Sequence, residues 1–415
     1  MSTPPKVARR HRRPGRPVAV VAVAAALLVA ACSSDGSKPA ATGTVTRQPV
    51  TCAWPTRADR ATLNVAYPDT GATYWTTRYR LARGERIEVS GVYPAARYFS
   101  FVTYHPDGGV RGSVPDRDIE PSRGTNPFAG DTADAAEGDG RGADRYVVQI
   151  VPKVDAEQPP ANTIAGGATG TVIYRVYLPD DAKDAQGGVA LPTLRIIGSG
   201  GAVRTLAPCA TSGSNPDAVR IVDENGPATD KAAPAQPVFV RPAAGSARLF
   251  PNPDNVYLAT IVKYTPGRLV VVRGTAPSFP DTAAGDPITG DEQVRYWSVC
   301  TNEYRKPYPV TDCVADEHVP LDAEGNYTIV ISTAAERPPN ATRENGVAWL
   351  DWGSTTVDGV LLVRNMLPAP GFTQSALDVP AGALASATMG PYAPAGRYCA
   401  VADFTRGGAA ACSAG

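Results

Sequence analysis

Residues 74–91 read YWTTRYRLARGERIEVSG, and residues 257–274 read YLATIVKYTPGRLVVVRG. The two stretches align without a gap, at the constant offset of 183 that separates Tyr257 from Tyr74. Three identical pairs share this offset within the stretches, Tyr74 with Tyr257, Gly84 with Gly267 and Gly91 with Gly274. Just beyond them, Pro94 matches Pro277. This agreement predicts an internal repeat.

Further blocks recur in the same order along the chain. They are 97–100 with 295–298, 146–150 with 327–331, the Pro-Pro pairs 159–160 with 338–339, and 174–179 with 363–368. Chance supplies one or two such matches, but not a collinear series. We therefore interpret the chain as a duplicated domain.

The repeated blocks have the chemistry of strands. Residues 86–92 alternate apolar and polar side chains, which is typical of a half-buried strand. Residues 269–272 are all aliphatic, which favours a strand covered on both faces. Gly84 and Gly267 precede these strands where a turn needs a permissive residue. The 40 Gly and 40 Pro and the lack of helical periodicity favour an all-β fold of two tandem antiparallel β-sandwich, jelly-roll-like domains.

Composition divides the chain into five parts. The predicted parts are a signal peptide at 1–31, a flexible tether at 32–51, a first sandwich at 52–209, a linker at 210–236 and a second sandwich at 237–415. The linker has one candidate ordered segment at 218–222, and 117–144 reads as a long surface loop.

The first 32 residues predict export and lipidation. Six Lys or Arg side chains precede the apolar run 17–31, and Val29-Ala30-Ala31-Cys32 resembles the bacterial lipobox. This resemblance implies that Cys32 carries a lipid such as palmitate and that the protein lies on the outer face of the cell membrane. The alternative is a single membrane anchor that ends at a cysteine by chance. The residues after Arg9-Arg10 favour general secretion over the twin-arginine route.

Charge and histidine content limit the partners and cofactors. Without residues 1–31 the chain has 34 basic and 40 acidic residues, a formal charge of −6, which argues against a nucleic-acid partner. Apart from the predicted signal peptide, only His105 and His318 are histidines, and there is no CxxC pair. We therefore predict no metal site and no cofactor.

Six cysteines remain when Cys32 is lipidated. An even number in an exported chain predicts disulfides, and six thiols allow fifteen pairings. Spacing favours Cys52–Cys209, Cys300–Cys313 and Cys399–Cys412.

Candidate ligand-binding residues lie in the repeated blocks. Arg175 and Arg364 occupy equivalent places in two apolar strands, and Arg97 and Arg295 recur beside aromatic residues. Such arginines could bind a carboxylate or phosphate. The alternative, which duplication favours, is a structural role in which each stacks on a ring or pairs with an acid.

Trp349 and Trp352 are candidates for contact with a sugar. They would not share a face of a regular strand, so core packing is the favoured interpretation for this pair.

Catalytic signals are weak. Residues 198–201, GSGG, do not match the nucleophile elbow Gly-x-Ser-x-Gly. The acids at 312, 316 and 317 with His318 could hold calcium, but they lack regular ligand spacing. We interpret this segment as a solvated loop.

Several longer stretches resemble an uncharacterised family of actinobacterial exported proteins. They are YFSFVTYHPDGG (98–109), DIEPSRGTNPF (118–128), YRVYLPDDAKDAQGGVALP (174–192), YWSVCTNE (296–303), VPLDAEGNYTIVIS (319–332) and LLVRNMLPAP (361–370). Both halves also resemble the C-terminal sandwich domain of a bacterial domain-of-unknown-function family. The resemblance supports the fold and implies no catalytic residue.

These observations favour a non-enzymatic envelope lipoprotein. It would serve as a binding or structural module for a wall glycan, a small ligand or a partner protein. The alternative is an envelope hydrolase or isomerase with a carboxylate pair. A deep pocket with two facing acids would favour the enzyme.

Overall fold

The computed structural model describes residues 51–130, 144–154, 160–243 and 249–412. The predicted signal peptide, Cys32 and almost all of the tether lie outside these residues. We refer to the described residues up to 209 as the N-terminal half and to those from 237 onward as the C-terminal half.

The N-terminal half forms two sheets. Its strands are β1 Thr56–Ala58, β2 Ala72–Arg80, β3 Arg86–Val92, β4 Ala96–Tyr104, β5 Val110–Pro115, β6 Pro121–Arg123, β7 Arg145–Val151, β8 Thr163–Ala165, β9 Thr169–Pro179, β10 Thr193–Ile197 and β11 Val203–Leu206. One sheet has the order β1-β2-β9-β4-β5, and the other has β11-β10-β3-β7-β6 with β8 beside β7. Their pairings are antiparallel except for β7 with β8.

The C-terminal half also forms two sheets. Its strands are β12 Asn255–Val262, β13 Arg268–Thr275, β14 Tyr296–Glu303, β15 Val310–Ala315, β16 Asn326–Ser332, β17 Ala348–Asp351, β18 Gly359–Met366 and β19 Ala395–Ala400. The orders are β12-β18-β14-β15 and β17-β16-β13-β19. Only the β16–β17 pair of these is parallel.

One sheet of each half lies inside the molecule. These inner sheets are β1-β2-β9-β4-β5 and β12-β18-β14-β15. Side chains of β9 point alternately to the two faces of its sheet. Tyr174 packs in the core of the N-terminal half, and Tyr177 packs in a cluster shared with the C-terminal half. The ring centroids of Tyr177 and Tyr296 are 5.5 Å apart. Because the inner sheets pack against each other as well as against their outer sheets, all nine residues of β4 and all eight of β18 are buried.

The sheet that contains β13 is also covered on its outer face. Leu269 and Val271 pack with Phe404 of helix α2, Val401–Gly407, whereas Val270 and Val272 face the sandwich core. The prediction that residues 269–272 form a strand covered on both faces is therefore confirmed.

Two repeat glycines have the predicted conformation. Gly84 has φ +81° and Gly267 has φ +76°, the left-handed region where a Cβ is disfavoured. Each lies in the turn that enters the strand after it.

All three predicted disulfides are present. Cys52–Cys209, Cys300–Cys313 and Cys399–Cys412 have Cα–Cα distances of 5.0, 4.0 and 5.2 Å. The first joins the two ends of the N-terminal half, the second links paired residues of β14 and β15, and the third fastens the C-terminal segment to β19.

The all-β fold predicted from sequence is confirmed, since helices are few and short among the described residues. Helix α1, Pro216–Asn225, includes residues 218–222, the candidate ordered segment of the linker. The described helices include none that is both long and apolar enough for a membrane span. The domain boundaries and the origin by duplication remain predictions.

Candidate functional site

A large cavity lies between the two inner sheets. Its volume is about 910 Å³. Outward-facing residues of β2 and β9 form one wall, and residues of β12 and β18 form the other. Most of the lining is apolar, as illustrated by Ile173, Leu362 and Ile261. The cavity lies beside the contact between Tyr177 and Tyr296, and Tyr177 is also part of its lining.

The segment between the halves covers the cavity. Ala218 and Ile221 of α1 line it together with parts of 227–234, and the start of the C-terminal half, 238–243 and 249–253, completes this side of the lining. The side chain of Asn215 caps α1 by accepting a hydrogen bond from the Asp217 backbone N–H (3.0 Å). The predicted linker is therefore an ordered part of the site.

Basic side chains outnumber acidic ones in the lining. The basic residues there are Arg78, Arg175, Lys231, Arg241 and Arg364, whereas Asp230 is the one acid among the described lining residues. Arg78 pairs with Asp217 at 2.7 Å, and Arg241 donates to the carbonyls of Leu377 (2.6 Å) and Val379 (2.8 Å). Two of these cations, Arg175 and Arg364, are each only 2% exposed.

Arg364 is fully engaged with its surroundings. Its Nη1 lies 3.3 Å from Asp69 Oδ2 and donates to Cys300 Sγ at 2.7 Å, while Nη2 donates to the Tyr67 carbonyl at 2.7 Å. The Asp69 carboxylate also accepts hydrogen bonds from Tyr296 (2.8 Å) and Ser298 (2.7 Å). This buried cation is therefore neutralised by a buried acid that is itself well held.

Arg175 has fewer partners. Its Nη2 donates to the Phe250 carbonyl at 2.8 Å and to the Tyr104 hydroxyl. Its Nε and Nη1 are buried and lack a hydrogen-bond acceptor among the described residues. The rings of Tyr74 and Tyr104 lie 5.7 and 5.5 Å from the guanidinium carbon, close enough for a cation–π contact. The structure thus leaves a buried positive charge incompletely compensated at the cavity wall.

Arg97 and Arg295 are elsewhere, at the contact between the halves. Arg97 reaches across to Asp316 (3.2 Å) and Glu317 (2.7 Å). Arg295 reaches in the opposite direction to Asp116, at 3.3 Å. Neither arginine lines the cavity, and their geometry matches the structural alternative considered for them.

The interpretation of Asp316 as part of a solvated loop is wrong. Asp316 is 1% exposed and accepts a hydrogen bond from the Trp297 backbone N–H at 2.9 Å. Its counter-charge, Arg97, belongs to the other half of the chain, so local sequence gave no sign of burial. His318, in contrast, is exposed.

Trp349 and Trp352 lie in separate apolar clusters. Trp349 packs beside the outer cover of β13, under the guanidinium of Arg337 (4.6 Å), and donates to Ser332 Oγ at 2.9 Å. Trp352 is buried in the core of the C-terminal half, against Tyr264. The two rings do not form a joint surface for a sugar.

Asp69, Cys300 and Cys313 bring potential metal ligands within 4.8 Å of one another. The two sulfur atoms are bonded together, and the carboxylate pairs with Arg364. Since none of these groups is free to ligate, this cluster does not fit a metal ion.

Sequence reasoning missed the partners of the two cavity arginines. Tyr67 and Phe250 supply the matching carbonyls, and Asp69 and Asn252 follow two residues later in each half. All four obey the offset of 183 noted above. The constant offset could have identified these pairs. It is easily overlooked here because Tyr67 and Phe250 are similar but not identical, and Asp69 and Asn252 differ in charge.

No protein-family model matches the chain, and no curated protein matches it. Among solved structures, it is similar to an uncharacterized protein from Burkholderia cenocepacia, at 13% identity and a TM-score of 0.49, covering 85% of this chain and 83% of that one. A Vibrio parahaemolyticus protein is 11% identical, with a TM-score of 0.39 and coverage of 80% and 89%. An anti-sigma factor domain-containing protein from Clostridium clariflavum is 9% identical, with a TM-score of 0.17 and coverage of 75% and 84%. At these scores the likenesses carry no argument about function.

Proposed function

We propose that this protein is a non-enzymatic binding protein of the cell envelope that holds a small, largely apolar molecule in the cavity between its inner sheets. The cavity itself supports this proposal. Its volume of about 910 Å³ is near the upper end of the roughly 300–1,000 Å³ typical of small-molecule sites. The apolar walls would contribute affinity by burying ligand surface.

The same lining argues against the enzymatic alternative. A glycosidase requires two carboxyl groups that face each other across the substrate. Asp230 is the one acid among the described residues of the lining. A binding role for a small ligand fits this chemistry better than hydrolysis does.

A neutral fluorescent dye, N-phenyl-1-naphthylamine, tests the binding role. We expect saturable fluorescence enhancement at one site on residues 33–415. Leu362→Trp and Ala259→Trp, which place an indole in the cavity, should abolish it. Val203→Trp is the matched control because Val203 is 47% exposed on β11 and outside the lining, so this variant should keep wild-type binding.

Two results would contradict the proposal. One is a wild-type protein that gives no saturable signal. The other is undiminished binding by both cavity variants when their thermal unfolding matches that of the control.

The lipid anchor is a separate part of the proposal. It is supported by the order of basic residues, apolar run and lipobox that ends at Cys32. We expect mass spectrometry of the native protein to find an acylated N-terminal Cys32, and Cys32→Ala to abolish that acylation. An unlipidated mature N-terminus, or firm membrane attachment of the variant, would contradict the anchor.

A further inference from the structure

The two cavity arginines have similar surroundings, and an important difference between them is a carboxylate that only Arg364 has. Arg364 pairs across its strands with Tyr257 and Ser298, and Arg175 pairs with Tyr74 and Ser100. Each guanidinium Nη2 donates to a backbone carbonyl from the opposite half, Tyr67 for Arg364 and Phe250 for Arg175. The two sites therefore correspond in their strand partners and in the carbonyl contact, although Arg364 also donates to Cys300 Sγ and Arg175 to the Tyr104 hydroxyl.

The corresponding side chains are Asp69 and Asn252. The backbone N–H of Asp69 donates to Tyr74 (3.1 Å), and that of Asn252 donates to Tyr257 (3.4 Å). Asp69 accepts from the Tyr296 hydroxyl, whereas Asn252 contacts the equivalent Tyr98 by donating from Nδ2 to its hydroxyl oxygen, at 3.1 Å. Arg364 therefore has a carboxylate at this position, whereas the equivalent residue near Arg175 is an amide.

No other acid completes the site of Arg175. Asp254 follows on the same segment, but burial raises its pKa overall, although the charge of Arg175 acts to lower it, and the carboxylate accepts its hydrogen bond from Tyr98, at 2.6 Å. Among the described residues no carboxylate oxygen lies within the 4.0 Å of an ion pair with Arg175. Nε and Nη1 therefore retain N–H groups that have been removed from water without a replacement acceptor.

The position of these donors indicates what would satisfy them. Arg175 is 2% exposed and lines the large apolar cavity. An occupant with an apolar body and an anionic head would fill the volume, and its head would accept from Nε or Nη1 once a neighbouring side chain moves aside, because both nitrogens are covered by surrounding residues. This inference rests on the function proposed above and specifies the ligand.

We propose that the cavity binds a single-chain amphiphile, and that Arg175 binds its carboxylate or phosphate head while the acyl chain lies along the apolar walls. Both heads are anions that accept hydrogen bonds from a guanidinium. Oleate and oleyl phosphate therefore serve as the two probes, with methyl oleate as the neutral comparator.

Calorimetric titration of residues 33–415 with these three probes is the test. We expect wild-type protein to bind oleate, oleyl phosphate or both about tenfold or more tightly than methyl oleate, since a hydrogen bond to a charged group contributes on this scale. Whichever acid binds more tightly identifies the head. Arg175→Met should remove this preference by weakening the binding of the acids.

Asn252→Asp provides an independent variant, which is expected to stabilise the fold. The new carboxylate lies at the position equivalent to Asp69, but at the site of Arg175. It should therefore raise the thermal unfolding temperature and reduce the preference for acids. Arg195→Met is the matched control, because Arg195 lies on β10 outside the cavity lining, where it pairs with Glu88 at 2.7 Å. This control should keep the wild-type preference.

The possible failures are distinguishable. If none of the three probes binds the wild-type protein, the proposed function fails together with this inference. If methyl oleate binds as tightly as both acids, the anionic ligand is overturned and the cavity remains a site for neutral apolar molecules. If Arg175→Met and Asn252→Asp both keep the full preference for acids, the assignment of the head group to Arg175 is overturned.

Discussion

Asp116 and Asp316 are carboxyl groups that burial makes harder to ionise. Burial raises the pKa of Asp116 to about 6, although Arg295 opposes the rise. Burial likewise raises the pKa of Asp316 to about 7, opposed by Arg97. Each group therefore retains its proton in the native protein at pH values where an unfolded Asp, with a pKa of about 3.9, has released it.

The sign of the resulting pH dependence follows from linkage. Between about pH 4 and pH 7 the native state binds more protons at these two sites than the unfolded state does, so their contribution to stability falls as pH rises. We expect the wild-type free energy of unfolding to lose more between pH 5 and pH 8 than that of Asp316→Asn. Urea unfolding at the two pH values measures the difference.

Asp223→Asn is a suitable control because Asp223 is exposed on α1. It should reproduce the wild-type pH dependence. Equal pH dependence of Asp316→Asn and wild type would contradict the assignment of a raised pKa to Asp316.

Disulfides act at the scale of the elements that they join. Cys52–Cys209 spans a sequence separation of 157, whereas Cys399–Cys412 spans 13. In the chain-entropy account the longer loop restricts the unfolded chain more, which corresponds to about 5 kcal/mol against about 3 kcal/mol. We expect Cys52→Ser with Cys209→Ser to lower the unfolding temperature more than Cys399→Ser with Cys412→Ser.

Differential scanning calorimetry under non-reducing conditions checks this order. Cys300–Cys313 is unsuitable for the comparison because Arg364 donates to Cys300 Sγ, so its removal would also disturb the cavity. A larger decrease in unfolding temperature on removal of Cys399–Cys412 than on removal of Cys52–Cys209 would contradict the chain-entropy account.

The strands could be predicted because their pattern is local. Period-two alternation identified β3, and the aliphatic run identified β13. Gly91 and Gly274 recur for a further local reason, since a Cβ there would lie 2.5 and 2.7 Å from the paired Tyr146 and Tyr327 hydroxyls. The disulfides followed from spacing within each half.

The site could not be predicted to the same extent because its contacts are remote. Arg97 meets Asp316 across 219 positions, and Arg364 meets Tyr67 across 297. A repeat indicates which positions are equivalent, but it does not show that each half supplies the counter-charge of the other. The cavity could not be predicted for the same reason, since residues of both halves line it.

At the scale of the whole molecule, the halves depend on each other electrostatically. Arg97 lies in the N-terminal half and its acids in the other, while Arg295 and Asp116 have the reverse arrangement. Separation would expose Tyr98 and Tyr177 together with unpaired charges. We therefore expect residues 52–209 and 237–415, expressed separately, to aggregate or remain unfolded.

Co-expression of the two fragments should restore a soluble complex. Size-exclusion chromatography and circular dichroism distinguish the outcomes, with residues 33–415 as the intact control. A monomeric 52–209 fragment that unfolds cooperatively at the temperature of the intact protein would contradict this dependence.

The disulfide between Cys52 and Cys209 also determines how mechanical force passes through the chain. Tension applied ahead of residue 52 is transmitted through the sulfur–sulfur bond to Cys209, because the covalent shortcut bypasses the intervening chain. Strands β1 to β11 therefore carry none of the load in series. The force continues into residues 210–236, which are hydrogen-bonded to β1 at Gly213 and then cover the cavity, so tension on the tether would act on that edge contact and on the cover.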